Sequence, residues 1–195
     1  MKKFFSSTWF KCISVLLVIS LIAGGLLAIL NDVLYVTSEE RTMRAIKKIY
    51  GEEKQYSKLL DVDDGDEALS CEDYGVIEKI FTVGDVSSDN YDLLFRSTGN
   101  HGYKNGTITL WIQVNFSSGV SKIEKVILES FTKQTLMSKL GSEYYSGFAG
   151  DTDDYFTTDE KDADKNYAPV SGATKSATAA VNAVNCVIYY LTEVA

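Results

Sequence analysis

The residues best suited to chemistry stand in a run of mostly small side chains, residues 170–176, directly before a helical pattern. The run reads Val-Ser-Gly-Ala-Thr-Lys-Ser. Small residues at a helix start leave backbone N–H groups exposed, and these donors together with the helix dipole favour a bound phosphate. Lys175 adds a positive charge there. Serine and threonine are also ordinary helix-capping residues, so plain capping is the alternative interpretation.

Residues 171–176, which read SGATKS, resemble the SGATxS/T flavinylation motif of the FMN-binding domain family. That family includes the G subunit of the Rnf complex and the C subunit of the sodium-pumping NADH:quinone oxidoreductase. The resemblance implies that Thr174 carries covalent FMN through a phosphoester bond, installed from FAD by a flavin transferase. It also implies that the rest of the motif helps to hold the cofactor, namely Ser171, Gly172, Ala173, Lys175 and Ser176.

Two further segments resemble parts of the same family more loosely. Residues 102–108 resemble its GYxGxI segment, and residues 132–141 stand where it has an ETPGLG-like flavin-contact segment. Ala168 occupies a position where the family commonly has aspartate. The resemblance implies that the isoalloxazine ring is contacted from two sides, by Gly102 and Tyr103 on one and by Gln134, Thr135, Leu136 and Met137 on the other.

The family resemblance also sets the expected function. It implies an electron-transfer subunit of a membrane-bound, Rnf-type ion-translocating oxidoreductase, which relays electrons through FMN. The expected partners are the other membrane redox subunits, the flavin transferase and membrane lipid. Two alternatives stay open: a stand-alone, membrane-anchored extracytoplasmic flavoprotein, and a flavin-free tethered module for binding or assembly. The chain has a single histidine and no evident Ser/His/Asp or Cys/His set, so we expect no catalytic side chain apart from the flavin.

An apolar N-terminal run is the first element that must position this site. Residues 12–31 contain no charged side chain and match the length that an α-helix needs to cross a bilayer. The run is longer than the usual apolar region of a cleaved secretory signal, so we expect an uncleaved anchor in the cell membrane. Three lysines precede it within residues 1–11 and Asp32 follows it, and the positive-inside rule therefore predicts a cytoplasmic N-terminus and an extracytoplasmic domain.

The remaining pattern predicts a single α+β domain with an antiparallel sheet and flanking helices. Apolar residues at three- and four-residue spacing predict a final helix from Thr174 to about Leu191. Runs rich in β-branched and aromatic residues predict strands at 78–83, 92–96, 107–116 and 123–128. The expected regions are a cytoplasmic segment at 1–11, a transmembrane helix at 12–31, a stalk helix and acidic linker at 32–73, and the FMN-binding domain at 74–195.

Charge and cysteine spacing exclude several other classes of protein. The net charge is −8, and an acidic surface repels nucleic-acid phosphates, so we expect no nucleic-acid partner. Cys71 and Cys186 lie far apart, without a CxxC pair or a neighbouring histidine, so we expect no metal site. They are either bridged outside the cytosol or two small buried apolar residues. The acids at 61–67 lack the spacing of a calcium loop and are predicted to be solvated.

Overall fold

The computed structural model describes residues 8–34, 36–84, 90–159 and 166–194. The chain divides into two units, Met1–Arg41 and Thr42–Ala195. The first unit contains helix α1 (Thr8–Leu34) and the start of helix α2 (Ser38–Tyr50). Residues 1–7 of the predicted cytoplasmic segment lie outside the described residues.

Helix α1 confirms that the N-terminal apolar run is helical. Within the described residues it is the one helix long and apolar enough to cross a membrane, with a mean hydropathy of 2.8 over Trp9–Asn31. Length and composition support an anchor, and a signal sequence shares both properties. The direction of crossing stays a prediction from the lysines.

The second unit is an antiparallel sheet with a helix on each face, which confirms the α+β class. The described residues form a seven-stranded sheet in the order β1-β3-β4-β5-β6-β7, with β2 also paired to β3. A separate pair, β8 and β9, is parallel. The elements are β1 (Tyr56–Asp61), β2 (Leu69–Cys71), β3 (Gly75–Val83), β4 (Asn90–Gly99), β5 (Ile108–Ser117), β6 (Val120–Phe131), α3 (Ser142–Ser146), β7 (Gly150–Asp151), β8 (Phe156–Thr157), β9 (Asn166–Tyr167) and α4 (Thr174–Tyr189).

The four predicted strands are confirmed as β3 to β6. The structure differs from the expected stalk and linker over residues 32–73, because β1 and β2 in that range pair with β3. From Thr42 onward, α2 also belongs to the domain. Its Ala45, Ile46 and Ile49 pack against Phe81 and other residues of the sheet. Strands β1 and β2 were missed because β1 exposes three successive residues, 57–59, and β2 has only three residues, so neither shows an apolar alternation.

The acidic segment at 61–67 is exposed as predicted except at its first residue. Asp61 is buried, and its carboxylate lies 2.9 Å from the ammonium of the buried Lys79 on β3. The half-exposed Asp63 lies 2.8 Å from the same ammonium. A buried charge needs a partner, and Lys79 and Asp61 supply one to each other.

Helix α4 packs against the sheet face opposite α2, and nearly all of its side chains from Ser176 to Ile188 are buried. Small residues allow this close approach: a Cβ atom at Gly99 of β4 would overlap the backbone of Ala179 and Ala183. Farther along, Cys186 forms a disulfide with Cys71 of β2, with their Cα atoms 5.2 Å apart. The bridge decides between the two alternatives that the sequence left open for these cysteines.

Candidate functional site

The predicted attachment residue, Thr174, is the first residue of α4, and its side chain is exposed. Ala173 holds the N-cap position with φ −133° and ψ 25°, and no described side chain caps this helix start. Plain capping therefore does not account for the threonine. The first turn offers N–H donors and the positive end of the helix dipole to an anion.

The rest of the motif divides into exposed and buried residues. Ser171, Gly172 and Lys175 are exposed, whereas Ala173 and Ser176 are buried. Gly172 has a φ of 73°, in the left-handed region that favours glycine. A protein that docks on this turn would therefore meet Ser171, Gly172, Thr174 and Lys175, and would find Ser176 covered.

A buried amide joins the three segments that resemble the flavin family. The Oε1 atom of Gln134 accepts a hydrogen bond from the Ser176 hydroxyl at 2.8 Å and another from the backbone N–H of Tyr103 at 3.2 Å. Its Nε2 atom donates to the carbonyl oxygen of Thr132 at 3.1 Å. Gln134 is only 9% exposed, so its amide is engaged with the protein itself.

Gly102 lets the loop at 102–106 lie against that amide. A Cβ atom at this position would overlap the Gln134 side chain and the carbonyl oxygen of Gly106. The Gly102 N–H donates to the same carbonyl at 3.0 Å, which closes the loop on itself. The glycine predicted to shape one side of the flavin ring thus serves a close approach between two loops.

Side chains of both predicted ring-contact segments reach the surface. Tyr103 is 38% exposed and Leu136 is 41% exposed. Thr135 is also exposed, whereas Met137 is half-buried and packs against the core. The segments therefore present an aromatic and an aliphatic side chain to solvent.

Lys139 is a site residue that the sequence reasoning did not select. Its ammonium donates to the carbonyl oxygen of Ser171 at 3.1 Å. It also lies 2.5 Å from where a Cβ atom of Gly172 would stand. The ammonium therefore sits at the turn before Thr174 and adds to the charge of Lys175. The sequence did offer a signal for this residue, because the lysine stands within residues 132–141, the segment that resembles a flavin-contact region.

Tyr144 of α3 holds the chain that leads into the motif. Its hydroxyl donates to the carbonyl oxygen of Ala168 at 3.1 Å, and the carbonyl oxygen of Ala177 lies 3.5 Å away. Burial, with a smaller contribution from Tyr145, raises the pKa of Tyr144 above its ordinary value. The hydroxyl therefore stays protonated, as these bonds to carbonyl oxygens require.

A concave feature of the same domain lies apart from these residues. It is a cleft of about 520 Å³ between β6 and the segment around α3, lined mainly by apolar side chains that include Val126, Leu140 and Tyr145. None of the residues predicted to hold FMN lines it. Within the described ranges, no cluster of His, Cys, Asp and Glu side chains is arranged to hold a metal ion.

Comparisons with known proteins identify no relative. No protein-family model, no curated protein and no solved structure matches the chain. The resemblance to the FMN-binding domain family therefore rests on residues 102–108, 132–141 and 171–176.

Proposed function

We propose that this protein is a membrane-anchored, extracytoplasmic electron-transfer subunit of an Rnf-type ion-translocating oxidoreductase, with FMN bound by a phosphoester to Thr174. The main support is the convergence of three family-like segments on one amide. Gln134 bonds to Tyr103 and Ser176, which are 31 and 42 residues away along the chain. The pairing of β5 with β6 already brings residues 108 and 131 together, so the informative contact is the one between Gln134 and Ser176 on α4.

The phosphate end of FMN fits the residues around Thr174. The hydroxyl is exposed on a helix start that no described side chain caps. The ammonium of Lys139 lies at the preceding turn, and Lys175 follows directly. In a chain of net charge −8, this concentration of positive potential favours a phosphodiester anion.

The ring end of FMN would lie against the exposed side chains of Tyr103 and Leu136. Gln134 would then support the site from beneath, since its own polar atoms are engaged by the protein. When attached, FMN supplies the electron-transfer chemistry, and the protein fixes its position and access. Ion movement would belong to the assembled complex.

Attachment of FMN balances as a phosphoryl transfer from FAD. The Thr174 hydroxyl oxygen attacks the phosphorus on the riboflavin side of the FAD pyrophosphate, and a new O–P bond forms. The P–O bond to the AMP portion breaks, AMP leaves, and the hydroxyl proton passes to a base of the transferase or to water. No electron changes hands in this step. The substrate residue must be accessible, and Thr174 is.

The disulfide supports the extracytoplasmic placement of the domain. Disulfides form and persist mainly outside the cytosol, and both Cys71 and Cys186 are buried in the bridged state. The positive-inside prediction, which rests on lysines in residues 1–11, points in the same direction.

Covalent flavin on Thr174 is directly testable. The full chain is co-expressed with a flavin transferase, then denatured and separated on a gel. We expect yellow-green in-gel fluorescence, a mass increase of one FMN, and loss of both in Thr174→Ala. Thr192→Ala, at an exposed threonine just beyond the other end of α4, is the matched control and should keep the flavin. Fluorescence that survives Thr174→Ala would refute the assigned residue.

The cleft favours a second candidate function, a flavin-free binding or assembly module. Its volume of about 520 Å³ lies within the range of small-molecule sites, and it is separate from Thr174. A chain that takes up no covalent flavin in the experiment above would favour this module. If flavin is taken up, co-purification with multi-span redox subunits separates a complex subunit from a stand-alone flavoprotein.

A further inference from the structure

We infer that Ser176, the last residue of the motif, acts through Gln134 as a positioning residue and is not read directly by the modifying enzyme. The inference rests on the proposed attachment of FMN to Thr174. It divides the motif into an outward part that the transferase contacts and an inward part that holds the turn in place.

Burial carries the first step. Ser176 is 3% exposed, whereas Ser171, Gly172, Thr174 and Lys175 are all exposed. An enzyme that docks on the folded domain can reach those four residues without changing the fold. To touch the Ser176 hydroxyl it would have to unwind the first turn of α4, which the buried residues of the following turns oppose.

Hydrogen bonding carries the second step. The Ser176 hydroxyl donates to Oε1 of Gln134, which also accepts the N–H of Tyr103. The same side chain is tied to Thr132 through Nε2. Gln134→Met would leave the Ser176 hydroxyl and the Tyr103 N–H without this acceptor, whereas Ser176→Ala would remove one of the two bonds to Oε1. Either change breaks the link through Gln134 between α4 and the 102–106 loop. Thr174 lies two residues before Ser176, so the turn that presents its hydroxyl would be held less firmly.

The experiment measures the rate of flavin attachment to the purified full-length chain in detergent, with purified transferase and FAD. We expect Ser176→Ala, which loses one buried hydrogen bond, and Gln134→Met, which loses three, each to slow attachment by roughly three- to tenfold. Ser176→Thr keeps a hydroxyl and should restore most of the rate. The double variant Ser176→Ala/Gln134→Met should be no slower than the slower single variant, because both remove the same contact.

A general loss of stability is separated by a matched control. Val83→Ala shortens a buried side chain in the core on the α2 face of the sheet, opposite α4, and should lower stability without slowing attachment. If it slows attachment as much as Gln134→Met, positioning by Gln134 is wrong. The same holds if Ser176→Ala is slow while Gln134→Met is normal, since the transferase would then read the serine itself.

Hydrogen exchange tests the same contact without flavin. In Gln134→Met, the amides of Tyr103 and Ala177, which donate to Gln134 and to the Ala173 carbonyl oxygen, should exchange faster than in the wild type, while those near Cys186 should not change. Unchanged exchange at Ala177 would overturn the inference, even if attachment is slowed. If hydrogen exchange differs between the wild type and Gln134→Met as expected but the wild type takes up no flavin, the proposed function is wrong. The role of Ser176 in flavin attachment then fails with it.

Discussion

The two ends of helix α4 are held by different forces. Toward its C-terminal end, buried apolar residues surround the helix and a disulfide fixes Cys186 to β2. At its N-terminal end, Thr174 is exposed, and the turn is held by hydrogen bonds from Ser176, Tyr144 and Lys139. The stretch from Ala179 to Ile188 is buried against the sheet, whereas the N-terminal end presents a hydroxyl on a defined turn. Stability and the proposed function are thus assigned to opposite ends of one helix.

Removal of the disulfide should have the largest effect on stability. The bridge spans 115 residues, and a loop of that length restricts the unfolded chain by about 4–5 kcal/mol in the chain-entropy description. We expect Cys71→Ser/Cys186→Ser to lower the free energy of unfolding by about 3–5 kcal/mol in a denaturant titration. Cys12→Ser, at a free and exposed cysteine, is the control and should change little. An unchanged unfolding midpoint in the double variant would show that the disulfide does not stabilise the C-terminal end of α4.

The second largest loss of stability should follow from adding a side chain where β4 and α4 lie close together. A Cβ atom at Gly99 overlaps the backbone of α4, so Gly99→Ala forces the helix away from β4. We expect a loss of roughly 3 kcal/mol in the free energy of unfolding. Gly141→Ala is the matched control, because nothing lies within 4 Å of its Cβ position. Equal stability of the two variants would mean that α4 does not lie so close to the sheet.

A smaller effect is expected from Tyr144→Phe at the polar end. Loss of the bond to Ala168 should cost about 1 kcal/mol at neutral pH. The pKa of Tyr144 is raised in the folded state by burial, so the unfolded chain loses this proton first as pH increases. Wild-type stability should therefore fall above about pH 10, and Tyr144→Phe should fall less steeply. Parallel pH profiles would contradict the buried, protonated hydroxyl.

The smallest effect on stability should come from Thr174→Ala. The threonine is exposed and does not cap the helix, so we expect a change within about 0.5 kcal/mol. The same variant should abolish covalent flavin, which is the largest effect on function. Thermal melting and in-gel fluorescence of one sample measure both. A large loss of stability in Thr174→Ala would show that the N-terminal end of α4 also contributes to the stability of the domain.

Local pattern was sufficient for the main elements of this fold. The alternation of Ile108, Leu110, Ile112 and Val114 predicted β5, because buried strands carry that pattern. The spacing of apolar residues after Thr174 predicted α4 for the same kind of reason. Strand β1 was missed because Ser57, Lys58 and Leu59 are exposed in succession, so the strand has no apolar period to detect.

Contacts between residues that are far apart in the sequence could not be predicted from local pattern. Gln134 was selected as a ring contact, but its bonds to Tyr103 and Ser176 depend on how three segments fold together. The partners of Lys79 were hidden for the same reason, since a buried lysine looks like any other in a sequence. The cysteine pair also needed the fold, which brings β2 beside α4.

The bridge between Cys71 and Cys186 makes a covalent ring of the intervening chain. That ring contains Thr174 and strands β3 to β6. A single cut by a protease anywhere between the two cysteines therefore opens the ring without releasing a fragment. A nicked, oxidised protein would keep its intact mass on a non-reducing gel apart from one added water. After a cut between Cys71 and Thr174, any flavin on Thr174 would stay attached to the part that carries α1 until the disulfide was reduced.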